Sequence, residues 1–179
     1  MATETGHSDL AVNNRPLQTM AEKDDYLLGQ LIEMGLVTNQ SIESRRTHAE
    51  KIGSGIVDLL VQEGIVTPQH VAQAKAMHFG VELIDLKNIR ITKKVLATMT
   101  TERARALRMI PLEVRKGTKP GVFFPGRRPK CPLVVAIDDP SDLDTIDSAH
   151  HLLQRELVIR SATPSDIDWA LEHYYPKAG

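Results

Sequence analysis

Two stripes of apolar residues recur along the first half of the chain. Leu27, Leu28, Leu31 and Ile32 fall on one helical face, and Ile56, Val57, Leu60 and Val61 repeat them 29 residues later. Each stripe runs into a glycine, Gly35 or Gly64, and then into the matching triplets Leu36-Val37-Thr38 and Ile65-Val66-Thr67. Ile42 and Ala49 mark a second helix in the first unit; Val71, Ala74 and Met77 mark its counterpart. A glycine after an apolar helix supplies the left-handed residue that helix ends favour. Thr67 followed by Pro68 is an N-cap with proline in the first helical position. Residues 23–80 are therefore predicted to form two tandem helix-turn-helix hairpins. They bury their stripes against each other, because a lone short helix is marginal in water. Residues 1–22 show no hydrophobic period and read as a disordered tail.

From residue 81 the period changes. Val81, Leu83, Ile84 and Leu86 suggest a short extended stretch. Thr92 is positioned to cap a helix to about Met99, continued by Glu102 to Leu107. Met109 to Val114 reads as a strand, at a sheet edge because of Pro111. The unbroken apolar run Leu133 to Ile137 reads as a central strand. Asp139-Pro140 begins a helix to about Leu153, Leu157 to Ile159 forms a strand, and Thr163-Pro164 starts a last helix to Tyr175. The fold class predicted is α+β. A helical subdomain of two hairpins is followed, over residues 81–176, by a small mixed sheet with packed helices.

Composition narrows the function classes. Apolar residues make up 41% and charged residues 25%, as in an ordinary globular protein. A net charge of −1 gives no global case for DNA binding. Cys131 is the lone cysteine, which excludes an internal disulfide and fits a reducing compartment. There is no apolar run of about 18 residues to insert in a membrane. The first 20 residues have neither the basic start nor the apolar stretch of a signal peptide. A cytoplasmic location is the expectation.

Four features are candidates for chemistry. The acidic run Asp138, Asp139, Asp142, Asp144 and Asp147 has the oxygen donors a divalent cation takes. A helix start explains it better, since Asp139 and Asp142 suit capping and negative charge is favourable there. His150 and His151 are adjacent, so on a helix they point about 100° apart and hold no common metal. No metal and no cofactor is expected. The segment Arg115 to Lys130 carries six basic residues and no acid, with Phe123 and Phe124 at its middle. It reads as a long loop, and Phe123, Phe124, Arg127 and Arg128 are its candidate partner contacts. On the helical hairpins, Leu28, Leu31, Leu36 and Ile42 are the candidate docking stripe, some of them also serving the internal core.

Several motifs resemble the amino-terminal domain of type II secretion and type IV pilus assembly ATPases, an MshEN-like family. Val81 to Leu86 resembles its "gVpfvDL" element, and Arg108 to Leu112 its "rviPl" strand. Leu133-Val134-Val135-Ala136-Ile137-Asp138-Asp139-Pro140-Ser141-Asp142-Leu143-Asp144 resembles its "LtVAmaDPsDLda" signature. Thr163 to Ile167 with Tyr174-Tyr175 resembles its closing motif. The resemblance implies a helical docking part, an α/β part, and a bacterial secretion or pilus platform, or its ATPase, as protein partner. Contact with the inner membrane would then be peripheral, through that partner.

Full-length members continue into an ATPase. This chain has no Gly-x-x-x-x-Gly-Lys-Ser/Thr string to cradle phosphates, so it is read as non-catalytic. Some members bind cyclic di-GMP, each helical repeat opening with an Arg-Leu-Gly-like triplet and closing with glutamine. Counted from Gly35 and Gly64, the triplets fall on Tyr26-Leu27-Leu28 and Gly55-Ile56-Val57, and the closing positions on Ala49 and His78. Neither arginine, neither triplet glycine and neither glutamine is present, although Gly29 lies one position late and Gly55 two early, so that a shifted register would restore one glycine. The reading favoured is a non-catalytic adaptor or regulatory domain, with cyclic di-GMP binding as the alternative.

Overall fold

The computed structural model describes residues 25–115 and 131–176. The expected tail and most of the basic loop, with Phe123, Phe124, Arg127 and Arg128, lie outside them.

Residues 25–33 (α1), Asn39–Ile52 (α2), Ile56–Gln62 (α3) and Pro68–His78 (α4) form the two helical hairpins. Their ends follow local chemistry. Thr38 accepts from Ser41 N–H at 3.2 Å to cap α2. Thr67 and His70 make a reciprocal capping box on α4. Gly35 and Gly64 both adopt left-handed backbone, at φ 72° and 71°. The residues after them donate back to Leu31 and Leu60 carbonyls at 3.0 Å, closing each helix in the same way. One apolar cluster joins Leu27, Leu28, Leu31, Val37, Ile42, Ala49, Ile56, Val57, Leu59, Leu60, Val66 and Ala74.

The second part is built on a four-stranded mixed sheet of order β1-β4-β3-β2. Its strands are Glu82–Leu83 (β1), Ile110–Val114 (β2), Leu133–Ile137 (β3) and Leu157–Ser161 (β4). β3 runs parallel to β4 and antiparallel to β2, while β1 runs parallel to β4. All five residues of β3 are buried, as the unbroken apolar run predicts. β2 is the edge strand that Pro111 requires, and its register with β3 shifts between Pro111 and Glu113. The remaining helices are Lys93–Leu96 (α5), Thr101–Ala106 (α6), Leu143–Leu153 (α7) and Pro164–Tyr174 (α8). A second apolar cluster, running from Leu86 to Tyr175, holds this part together.

Three expectations shift. The helix expected from Thr92 to Met99 stops after one turn. The Thr98 hydroxyl donates to the Val95 carbonyl at 2.6 Å, and Thr100 opens a fresh helix by accepting from Arg103 N–H. The helix expected at Asp139 begins at Leu143, because Asp142 is its cap and Asp139 instead closes a turn onto Ser141. The extended stretch after Val81 has only two residues in the ladder, before Asp85 caps a 3-10 turn at Leu86–Asn88.

α4 connects the two parts. Ala74 belongs to the helical cluster, whereas Ala72 and Ala76 are buried outside it and α4 packs against β1 and β4. Small side chains let a helix approach a sheet closely. No helix among the described residues is long and apolar enough to cross a membrane.

Candidate functional site

The proposed docking stripe does not lie on the surface. Leu28, Leu31 and Ile42 are 5%, 0% and 4% exposed, and Leu36 is half-buried against them. The reason is geometric. Four short helices have one apolar face each, and the hairpins use those faces on one another. The exposed apolar side chains of this part are Ile52, Met77 and Phe79.

Phe79 belongs to an aromatic cluster that links the beginning and the end of the helical part, and Met77 precedes it by two positions. The rings of Tyr26 and His78 stack at 4.3 Å between centroids. Phe79 meets both edge-on, at 5.7 Å from Tyr26 and 4.9 Å from His78. Such rings offer a rigid surface, apolar on the faces and polar at the rim. Fifty-two positions separate Tyr26 from His78, so no short-range pattern could pair them.

Tyr26 and His78 also stand at positions that the family resemblance marks for a cyclic dinucleotide. Of the positions that the family resemblance marks, Leu27, Leu28, Ala49, Ile56 and Val57 are all buried in the helical cluster. Gly55 is the N-cap of α3. Tyr26 and His78 are stacked on each other. None of the buried five carries a side-chain donor for a guanine edge or a phosphate. The nearby Arg45 is engaged with Glu63 and with the Ser41 carbonyl.

The acidic run is absorbed by structure. Asp139 accepts from the Ser141 hydroxyl at 2.6 Å and pairs with Lys75 of α4 at 3.2 Å. Burial favours its neutral form, but Ser141 and Lys75 outweigh burial and hold the carboxyl below its ordinary 3.8. Asp138 receives Arg108 Nε at 2.8 Å, and Asp168 receives Arg108 Nη1 at 2.8 Å. Burial opposes the Arg108 charge, yet the two carboxylates raise its pKa overall. Arg108 itself sits in left-handed backbone at φ 46°, a conformation few non-glycine residues adopt. Asp142 binds Thr145 through both its backbone N–H and its hydroxyl. No cluster of three metal-ligating side chains exists among the described residues. A cleft of about 130 Å³ opens between the two parts, lined by Val61, Val71, Ala72, Lys75, Asp138 and Pro164. Lys75 and Arg108 carry the electrostatics here. The run of aspartates announces the acids, but nothing local in the sequence identifies their partners.

Known proteins agree with this architecture. The chain is 25% identical over 156 residues to the type IV pilus assembly ATPase PilB of Thermus thermophilus, covering 87% of this chain and 16% of that protein. It is 24% identical over 153 residues to the PilB of Myxococcus xanthus, covering 85% of this chain and 25% of that one. The chain thus spans a quarter or less of the length of these relatives. Among solved structures, MshE with cdg superposes with a TM-score of 0.65 at 19% identity, covering 83% of this chain and 98% of that one. The N-terminal domain of XpsE gives 0.58 at 19% identity, with coverage of 85% and 95%. These two establish a shared fold. Residues 79–179 match the MshEN domain, and the chain belongs to that family.

Proposed function

We propose that this chain is a non-catalytic docking module. It engages a secretion or pilus platform protein, or the cognate ATPase, at the cytoplasmic face of the inner membrane. One observation carries the reading: the positions where relatives are expected to hold a cyclic dinucleotide are filled by packed apolar side chains and a mutual ring stack. A buried Leu or Val has nothing to give a guanine edge, and opening the cluster to admit a ligand sacrifices core burial. The surface that remains is the ring cluster Tyr26, His78 and Phe79 with Met77, of which Met77 is 52% exposed. Its aromatic and thioether composition suits protein recognition.

The likeness to MshE with cdg supports the alternative, a receptor for cyclic di-GMP. Calorimetry separates the two. The docking reading expects no heat at millimolar cyclic di-GMP, together with capture of a platform protein's cytoplasmic domain that the double variant Met77→Ala, Phe79→Ala abolishes. Saturable micromolar nucleotide binding overturns it.

A further inference from the structure

Five described arginines are half-buried: Arg45, Arg105, Arg108, Arg155 and Arg160. Four of them rest on carboxylates: Arg45 on Glu63, Arg105 on Glu172, Arg108 on Asp138 and Asp168, and Arg160 on Glu82. Arg155 differs. Its Nη1 is buried yet has no hydrogen-bond partner among the described residues. A buried donor without an acceptor destabilises a fold, and native proteins keep few of them.

Arg155 follows the left-handed C-cap of α7, Gln154, at the turn into β4. It lines a cleft of about 450 Å³ with Lys94, Val95 and Thr98 from α5 and its C-terminal turn, and Glu113 and Val114 from the end of β2. Thr98 spends its hydroxyl hydrogen on the Val95 carbonyl. The residues lining the cleft thus bring two cationic side chains, Arg155 and Lys94, and one carboxylate, Glu113, together with two valines. The sequence from Lys116 to Lys130, which joins β2 to β3, contains no Asp or Glu to complement Arg155.

We infer that this cleft receives an acidic side chain of a partner protein, a glutamate or aspartate carboxylate seated on Arg155 with Lys94 beside it. The inference rests on the docking reading above and gives it a second contact point. The charge count selects the ligand. Two cations against Glu113 leave one net positive charge, which suits a monoanion. A phosphate dianion meets repulsion from Glu113 that a single carboxylate meets only in part. A guanidinium presents a planar fork to a carboxylate. Val95 and Val114, the latter 36% exposed, provide apolar walls for the aliphatic stem of a glutamate and its neighbours.

The test is a nitrogen-15 NMR titration of the full chain with capped Val-Glu-Val, capped Val-Gln-Val and inorganic phosphate. The glutamate peptide is expected to shift the amides of Val95, Thr98 and Val114 and the Arg155 Nε–H, and the glutamine peptide to leave them in place. Arg155→Gln weakens binding at least tenfold. Lys94→Gln, at an exposed position, weakens it a few-fold without moving the unfolding midpoint, so a folding defect in the first variant does not obscure the result. Equal shifts from both peptides, glutamate binding that survives Arg155→Gln, or phosphate binding more tightly than the glutamate peptide each overturns the inference. The titration uses no platform protein. Its failure with platform capture intact rejects the cleft alone, and lost capture with an intact titration rejects only the platform reading.

Discussion

The two halves of this molecule solve the burial problem differently. The helical half closes its core with neighbours in sequence, each hairpin folding a stripe onto the next and capping its ends with Thr38, Thr67, Gly35 and Gly64. The sheet half depends on distant partners. Leu133 to Ile137 pairs with residues on either side in the chain, and Tyr175 donates its hydroxyl to the Leu96 carbonyl, 79 residues away, at 2.8 Å. The family match falls on the sheet half, residues 79–179. The helical half keeps an apolar frame while its marked polar positions hold other residues. The sheet half carries the family signature, whereas the helical half carries an apolar pattern that many sequences satisfy.

The sharpest way to break this comparison is to remove one core side chain from each half. Leu60→Ala and Ile167→Ala both truncate fully buried residues and are each expected to cost about 2–5 kcal/mol. If the halves unfold separately, each variant lowers its own transition in urea and leaves the other in place. A single transition that shifts in both variants means that α4 welds the halves into one cooperative unit.

Tyr175 tests the long-range half. Burial pushes its phenol up to about 12 from an ordinary 10.0. The folded state thus disfavours phenolate that the unfolded chain forms readily. The contribution is whole below about pH 10 and is lost as pH rises toward 12. Tyr175→Phe is expected to cost about 1 kcal/mol at neutral pH and to flatten the alkaline loss of stability seen by circular dichroism. Thr67→Ala tests the local half. It removes the α4 cap and is expected to cost about 1 kcal/mol in denaturant titrations.

The smallest effect concerns the seam. Lys75→Met breaks the pair with Asp139, expected to cost at most about 1 kcal/mol because both groups retain solvent contact. Asp139 is depressed below 3.8, so the pair stabilises above that pH and the benefit fades as pH falls further. The variant should differ from the parent at pH 7 and converge with it in acid.

How much of this was legible follows from the range of each interaction. The hairpins, their glycine stops and the caps at Thr67 and Thr163 rest on neighbours a few residues apart, and the sequence states them. The order of strands is readable from Pro111 and the apolar run of β3. The break at Thr98 and the delayed start at Leu143 are not, because competing caps a few residues apart have similar energies and packing chooses between them. The burial of the candidate docking stripe was illegible for a related reason. Leu28, Leu31 and Ile42 are apolar, and periodicity alone cannot distinguish a face turned to the core from one turned to a partner. The Tyr26–His78 stack and the buried, unpartnered donor of Arg155 depend wholly on tertiary proximity.

The edge strand has a further consequence. Proline at position 111 and the register slip beside it interrupt the row of backbone donors along the outer rim of the sheet. A second strand cannot zip onto such a rim over its full length. Two copies meeting at this rim would touch through side chains without fusing their sheets there.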